Sequence, residues 1–289
     1  MSRSSLLILF LVLAACCGCV TVYQDAPQPA AVPPPPPLPV WAVYLPFPEL
    51  PPHGTIRPIP ANQGWTNLRM ERDLSRMADA KISAALVVVT PVQLLGEDFH
   101  ERYRKFAEVA ASHGLKVALL VSSRTRPAPA LERKNISQFV VSKGLVNLTN
   151  SLCAADDGKQ LLLIDEDFAL DAPQPDGAPE VCIWQLGHDV PALPSGPLIL
   201  AEMQPDKNGM LWVRAADNTG CEPYNRARPT DDWTIRRRNG APLKRQLHRA
   251  REVGAKLLLL DSWNNYERGS FAEINSLDQD NFLKILKNR

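Results

Sequence analysis

Short, unbroken apolar runs alternate with amphipathic stretches from residue 40 onward, and this alternation limits the folds open to the chain. Ala84 to Val89 is apolar at every position and is closed by Thr90-Pro91. A run of that kind is what a strand buried on both faces requires, as in a parallel sheet. Trp41 to Leu45 and Lys116 to Val121 read the same way. Between the runs, Asn67 to Ala80 carries Leu68, Met70, Leu74, Met77 and Ala78 at helical spacing. Asp98 to His113 repeats the pattern with Phe99, Tyr103, Phe106, Val109 and Ala110, and Gly114 stands where a helix ends. Three strand-then-helix units in about 80 residues predict parallel strands joined by right-handed crossovers.

Further apolar runs follow at Leu161–Ile164, Val181–Leu186, Leu198–Ala201, Leu211–Val213 and Leu257–Leu260. Eight runs in a domain of about 250 residues fit a (β/α)8, TIM-barrel-like α/β fold. The gaps 187–197 and 202–210 are too short, and too rich in Pro and Gly, for full helices. Either the barrel has reduced outer helices there or two of the runs form a hairpin. An open, doubly wound sheet is the competing arrangement, although no glycine-rich phosphate loop follows the first run.

The N-terminal forty residues have a different character. Arg3, the apolar run Leu6 to Ala15 and the sequence Leu13-Ala14-Ala15-Cys16 resemble a bacterial lipoprotein signal, with Cys16 as the lipidated residue. Residues 16–39 hold eight of the 27 prolines and almost no charge, the composition of a polyproline spacer. The expected organisation is a signal peptide at 1–15, a lipidated and Pro-rich tether at 16–39, and a barrel-like domain at 40–289. Lys and Arg number 32 against 31 Asp and Glu. That balance argues against a nucleic-acid partner. Cys153, Cys182 and Cys221 show no metal-type spacing, and any two of them are open to disulfide pairing.

In barrel enzymes the chemistry sits where strands finish. Polar residues at the ends of the runs here are Tyr44, Thr90, Ser122, Asp165-Glu166-Asp167, Gln185, Glu202, Asp217 and Asp261-Ser262-Trp263-Asn264. Carboxylates and amides near Trp184, Trp212, Trp263 and Tyr266 suit sugar recognition, in which aromatic faces stack on pyranose rings and polar groups bond the hydroxyls.

The C-terminal third narrows the reading. Asp217-Asn218-Thr219, Pro223, Asn225, Arg236-Arg237-Arg238-Asn239-Gly240, a helical stretch at Leu243–Arg251, the run Lys256–Leu260 and then Ser262-Trp263-Asn264-Asn265-Tyr266-Glu267-Arg268-Gly269-Ser270-Phe271-Ala272-Glu273 follow in order. This order resembles the endo-α-mannosidase family of glycoside hydrolases, family 99, and the related WbsX-type proteins. The likeness covers about 70 residues well and the first 80 of the domain loosely; the middle, 125–210, carries no alignable motif. The resemblance implies a (β/α)8 fold, no cofactor and no metal, and an oligosaccharide or polysaccharide partner. It also places the two family glutamates at Asn265 and Arg268. Asn cannot take up a proton, and Arg cannot release one at neutral pH. Glycoside cleavage generally needs two carboxyl groups flanking the bond. Glu267, after a one-residue shift of the loop, with Asp165 or Glu202, forms the candidate catalytic set. Tyr44, Asp217, Trp263, Asn264, Asn265, Tyr266 and Arg268 are the candidate substrate-binding residues. Two functions follow: a membrane-anchored glycoside hydrolase-like protein acting on envelope or extracellular polysaccharide, or a non-catalytic glycan-binding or assembly lipoprotein on the same fold.

Overall fold

The computed structural model describes residues 36–46, 64–122, 136–153, 158–165, 180–186, 203–215, 240–264, 272 and 279–289. The chain divides into two units, Met1–Pro36 and Pro37–Arg289. The described residues fall in the second apart from Pro36.

Among the described residues seven strands and six helices run in the order β1 (Val40–Tyr44), α1 (Asn67–Asp79), β2 (Ala84–Val89), α2 (Pro91–Leu94), α3 (Glu97–Ser112), β3 (Lys116–Val121), α4 (Ile136–Ser142), β4 (Gln160–Asp165), β5 (Val181–Leu186), β6 (Met210–Val213), α5 (Ala241–Glu252), β7 (Leu257–Leu260) and α6 (Asn281–Lys287). Every pairing between these strands is parallel. The sheet order is β5-β4-β3-β2-β1-β7-β6, which is chain order read around a circle. A doubly wound sheet reverses direction at a switch point, and this one does not. The sheet is a curled half-barrel, as the eight apolar runs predicted for a (β/α)8 fold. The expected run Leu198–Ala201 lies outside the described residues, as does 187–197.

Local chemistry explains the element boundaries. Thr66 caps α1 by accepting from the Arg69 N–H. Thr90 ends β2 and opens α2 through a reciprocal capping box with Gln93, with Pro91 in the first turn. Helix α3 closes at His113, and Gly114 follows at φ +73°, the left-handed conformation that lets the chain turn into β3. Lys143 first, then His100, bonds the Glu97 carboxylate and holds its pKa below the usual range, which ties α3 to α4.

Alternation along the strands divides the core in two. Ala42, Tyr44, Val87, Val89, Val121, Leu162, Val213 and Leu260 belong to the cluster under the helices. Val43, Leu86, Leu120, Leu163, Met210 and Leu259 belong to the cluster on the concave face. At the chain end, the Arg289 guanidinium donates to the carbonyls of Leu38, Ala80, Lys81 and Leu286, pinning α6 to the start of β1. Among the described residues no helix is long and apolar enough to cross a membrane.

Candidate functional site

The concave face is layered. Each step to the next strand of an eight-stranded barrel moves the level by about one residue, because the strands tilt. A contact across the sheet bears this out. Trp184 on β5 stands in ladder register with Leu163, Leu120 and Val88 in turn. Val88 in turn stands beside Leu45, since Val87 pairs Tyr44. Yet Trp184 stacks on Trp41, lower on β1, with ring centroids 5.7 Å apart and planes at 28°.

Applied to every strand, the same step gives three layers. The lowest holds Trp41, Ala118, Trp184 and Met210, interleaved with Ala84, Leu161 and Leu257. The middle layer holds Val43, Leu120 and Trp212, with Leu86, Leu163 and Leu259. The top layer, at the strand C-termini, holds Leu45, Ser122 and Arg214, with Val88, Asp261 and position 165. Apart from indole N–H groups the two lower layers are apolar, and the hydroxyl and charged side chains of the three layers, among the described residues, stand in the top one.

Arg214 and Asp261 dominate that top layer. Arg214 Nε donates to Asp261 Oδ2 at 2.9 Å, and Asp261 is 1% exposed. Their pairing continues the Val213–Leu260 register by one residue. The Asp261 N–H itself donates to Val213 O, and the Asp261–Ser262 peptide is cis.

Two buried amides hold the strand ends. Asn264 Oδ1 accepts from the Leu45 N–H at 2.8 Å, while its Nδ2 donates to Leu45 O at 2.9 Å. From α5, Gln246 does the same for Arg214, accepting from its N–H at 2.8 Å and donating to its carbonyl at 2.9 Å. Each amide takes the place of a neighbouring strand for a residue just past the end of β1 or β6. Asn264→Ala therefore leaves the Leu45 N–H without its partner and the Leu45 carbonyl with only the Arg69 guanidinium, at 3.2 Å. It is expected to lower stability by about 2 kcal/mol, read by urea unfolding; a loss below about 0.5 kcal/mol would show that the clasp carries no weight.

The structure spreads the sequence-predicted site residues over different surroundings. Tyr44 is fully buried under the helices; its hydroxyl donates to Asp73 Oδ2 at 3.2 Å, and the Arg69 guanidinium lies 5.5 Å from its ring centroid. Trp263 is fully buried in the same helix-side core, and its N–H continues the β1 ladder to Val43 O. Asn264 is fully buried and bonds Leu45 as described. Asp165 is the last residue of β4, in register with Leu186. Glu202, Asp217, Asn265, Tyr266, Glu267, Arg268 and the lipidation candidate Cys16 lie outside the described residues. Cys153 is a free thiol, and Cys221 lies outside the described residues. Among the described residues no group of His, Cys, Asp and Glu is arranged to hold a metal ion.

Sequence reasoning passed over Arg214. The signal for it was present: it follows the run Leu211–Val213 and shares the concave face with Trp212, whereas Tyr44 shares the outward face with Ala42.

No protein-family model matches the chain, and no curated protein matches it. Solved structures do. A family 99 endo-α-mannosidase from Bacteroides thetaiotaomicron, in complex with bis-tris propane, superposes with a TM-score of 0.61 at 14% identity, over 86% of this chain and 95% of that one. Another structure of a family 99 endo-α-mannosidase from Bacteroides thetaiotaomicron gives 0.60 at 13% identity, over 86% and 95%. A structure described as a glycoside hydrolase-like protein gives 0.61 at 15% identity, over 87% and 93%. At these identities the likeness shows the fold, that of the family 99 barrels.

Proposed function

We propose that the chain is a glycoside hydrolase-like protein whose strand-end cleft takes an oligosaccharide or polysaccharide. One observation supports this above others: in the three layers of the concave face the hydroxyl and charged side chains, among the described residues, stand at the strand C-termini, the place where barrels of this fold keep their chemistry. The lipobox at Cys16 and the Pro-rich tether put the protein at a bacterial cell envelope, anchored by lipid, with envelope or extracellular polysaccharide as its substrate.

In this reading Glu267 and a second carboxylate, Asp165 or Glu202, flank the scissile bond. One protonates the leaving oxygen, and the other attacks the anomeric carbon or activates water. A separation of about 5–5.5 Å gives retention and a wider one gives inversion. Asp217, Asn265, Tyr266 and Arg268, which follow the last apolar runs in the sequence, complete the substrate contacts. The alternative reading rests on Asn265 and Arg268 standing at the two family glutamate positions: the cleft then binds glycan without cutting it.

Full-length protein in detergent, offered a panel of mannan-type and O-antigen-type glycans, separates the two. The hydrolase releases sugar, and Glu267→Gln lowers that release by at least about a hundredfold, as loss of a general acid–base group does. The binder shows saturable binding without release. Neither release nor binding across the panel would reject both.

A further inference from the structure

We infer that Ser122, Trp212 and Asp261 contact ligand directly and select a neutral, hydroxyl-rich one; the inference rests on the glycan reading above and names the residues and charge class for it.

Three buried polar atoms on the concave face have no hydrogen-bond partner among the described residues: Ser122 Oγ, Trp212 Nε1 and Asp261 Oδ1. Ser122 and Asp261 belong to the top layer, and Trp212 sits one layer below Arg214 on the same strand. Native proteins leave few such atoms unpaired, because each costs about 1–3 kcal/mol and a charged one more. The Trp263 indole N–H also lacks a partner but lies in the core beneath the helices.

The three atoms differ in kind. Trp212 Nε1 only donates, Asp261 Oδ1 only accepts, and the Ser122 hydroxyl does both. A hydroxyl group both donates and accepts, so a ligand rich in hydroxyls can offer each of the three its complement. Charge narrows the class further. Arg214 neutralises Asp261 through the other carboxylate oxygen at 2.9 Å. An acidic sugar would bring a second anion against Asp261, and a cationic ligand would crowd Arg214. A neutral polyol meets neither penalty. Asp261 was not among the sequence-predicted contacts, and its part here is recognition; Arg214 holds its orientation.

The experiment uses the full-length chain and isothermal calorimetry with the neutral oligosaccharides of the panel, with oligogalacturonates as the acidic comparison. Asp261→Asn keeps the shape but presents a donor where an acceptor stood. It is expected to weaken neutral-oligosaccharide binding by at least about tenfold. Ser122→Ala is expected to weaken binding about threefold while its melting temperature stays level or rises, since the change removes an unpaired buried hydroxyl. If Asp261→Asn does not fold, Ser122→Ala and Trp212→Phe carry the test. Wild-type binding that these variants leave intact would assign the three atoms to enclosed water, ending this inference and sparing the glycan reading. Tighter binding of the oligogalacturonates than of the neutral sugars would overturn the charge class. A wild-type chain that binds nothing on the panel would bring down the glycan reading and the inference with it.

Discussion

Asp73→Ala is expected to remove about 3–5 kcal/mol of stability, the cost of leaving a buried cation without its counter-charge. Asp73 is fully buried and Arg69 is 3% exposed. The carboxylate accepts from Arg69 Nε at 3.3 Å, from Tyr44 Oη at 3.2 Å, and from Arg72 at 2.9 and 2.8 Å through Nε and Nη2. Arg69 in turn donates to the carbonyls of Leu45, Pro46 and Gly64, so the network fixes the chain as it leaves β1 and as it enters α1. At about 2–4 °C per kcal/mol for a domain of this size, the melting temperature falls by roughly 10 °C. Tyr44→Phe removes one hydroxyl and is expected to cost about 1 kcal/mol. Replacing Arg69 and Asp73 together with Met and Leu is expected to recover most of the loss, since apolar pairs of similar volume often match a buried ion pair. A single Asp73→Ala loss below about 1 kcal/mol, by thermal and urea melts, would contradict the network's role.

Gly240→Ala is the second large effect, about 3 kcal/mol. Gly240 opens α5 at φ +76°, and a Cβ there would lie 2.1 Å from Ile285 Cδ1 on α6. Two costs combine: about 1 kcal/mol for a side chain in the left-handed region and about 1–3 kcal/mol for forcing packed atoms apart. Gly254 separates them. It sits at φ +68° with nothing within 4 Å of an added Cβ. Gly254→Ala is therefore expected to cost only the backbone part. Shortening Ile285 to Val in the Gly240→Ala background should return stability, with a favourable coupling of about 1 kcal/mol or more in the double-mutant cycle. Equal losses for the two glycine variants would show that the α5–α6 approach is looser than drawn.

The order of strands and the longest helices were legible because each is written in local pattern. Ala84–Val89 and Lys116–Val121 were readable from continuous apolarity. The helix expected at Asp98–His113 spans Glu97–Ser112, and the one expected at Leu243–Arg251 spans Ala241–Glu252. Helices α2, α4 and α6 are four to seven residues long and left no periodic signal above the loops around them.

The candidate site was far less legible, and the cause is physical. A strand buried on both faces has no polar side to mark which residues look inward. Nothing in Val43-Tyr44-Leu45 tells that Leu45 joins the concave face and Tyr44 the helices. Once the packing sets that parity, Ser122, Arg214 and Asp261 fall on one face, with Arg214 and Asp261 paired. Asn264 shows a second limit. It is the kind of residue that bonds a sugar hydroxyl, and its amide is engaged by Leu45, 219 residues earlier in the chain. Only the closed fold brings those groups into reach.

The indoles of Trp41 and Trp184 belong to strands four apart in the sheet, and they stack only when the sheet is curled. Two such chromophores at 5.7 Å couple their electronic transitions. Curvature therefore writes itself into the circular dichroism of the protein as a split band that neither ring gives alone. The sheet carries an intrinsic optical gauge of its own curvature, readable without a label and at a position below the polar layer.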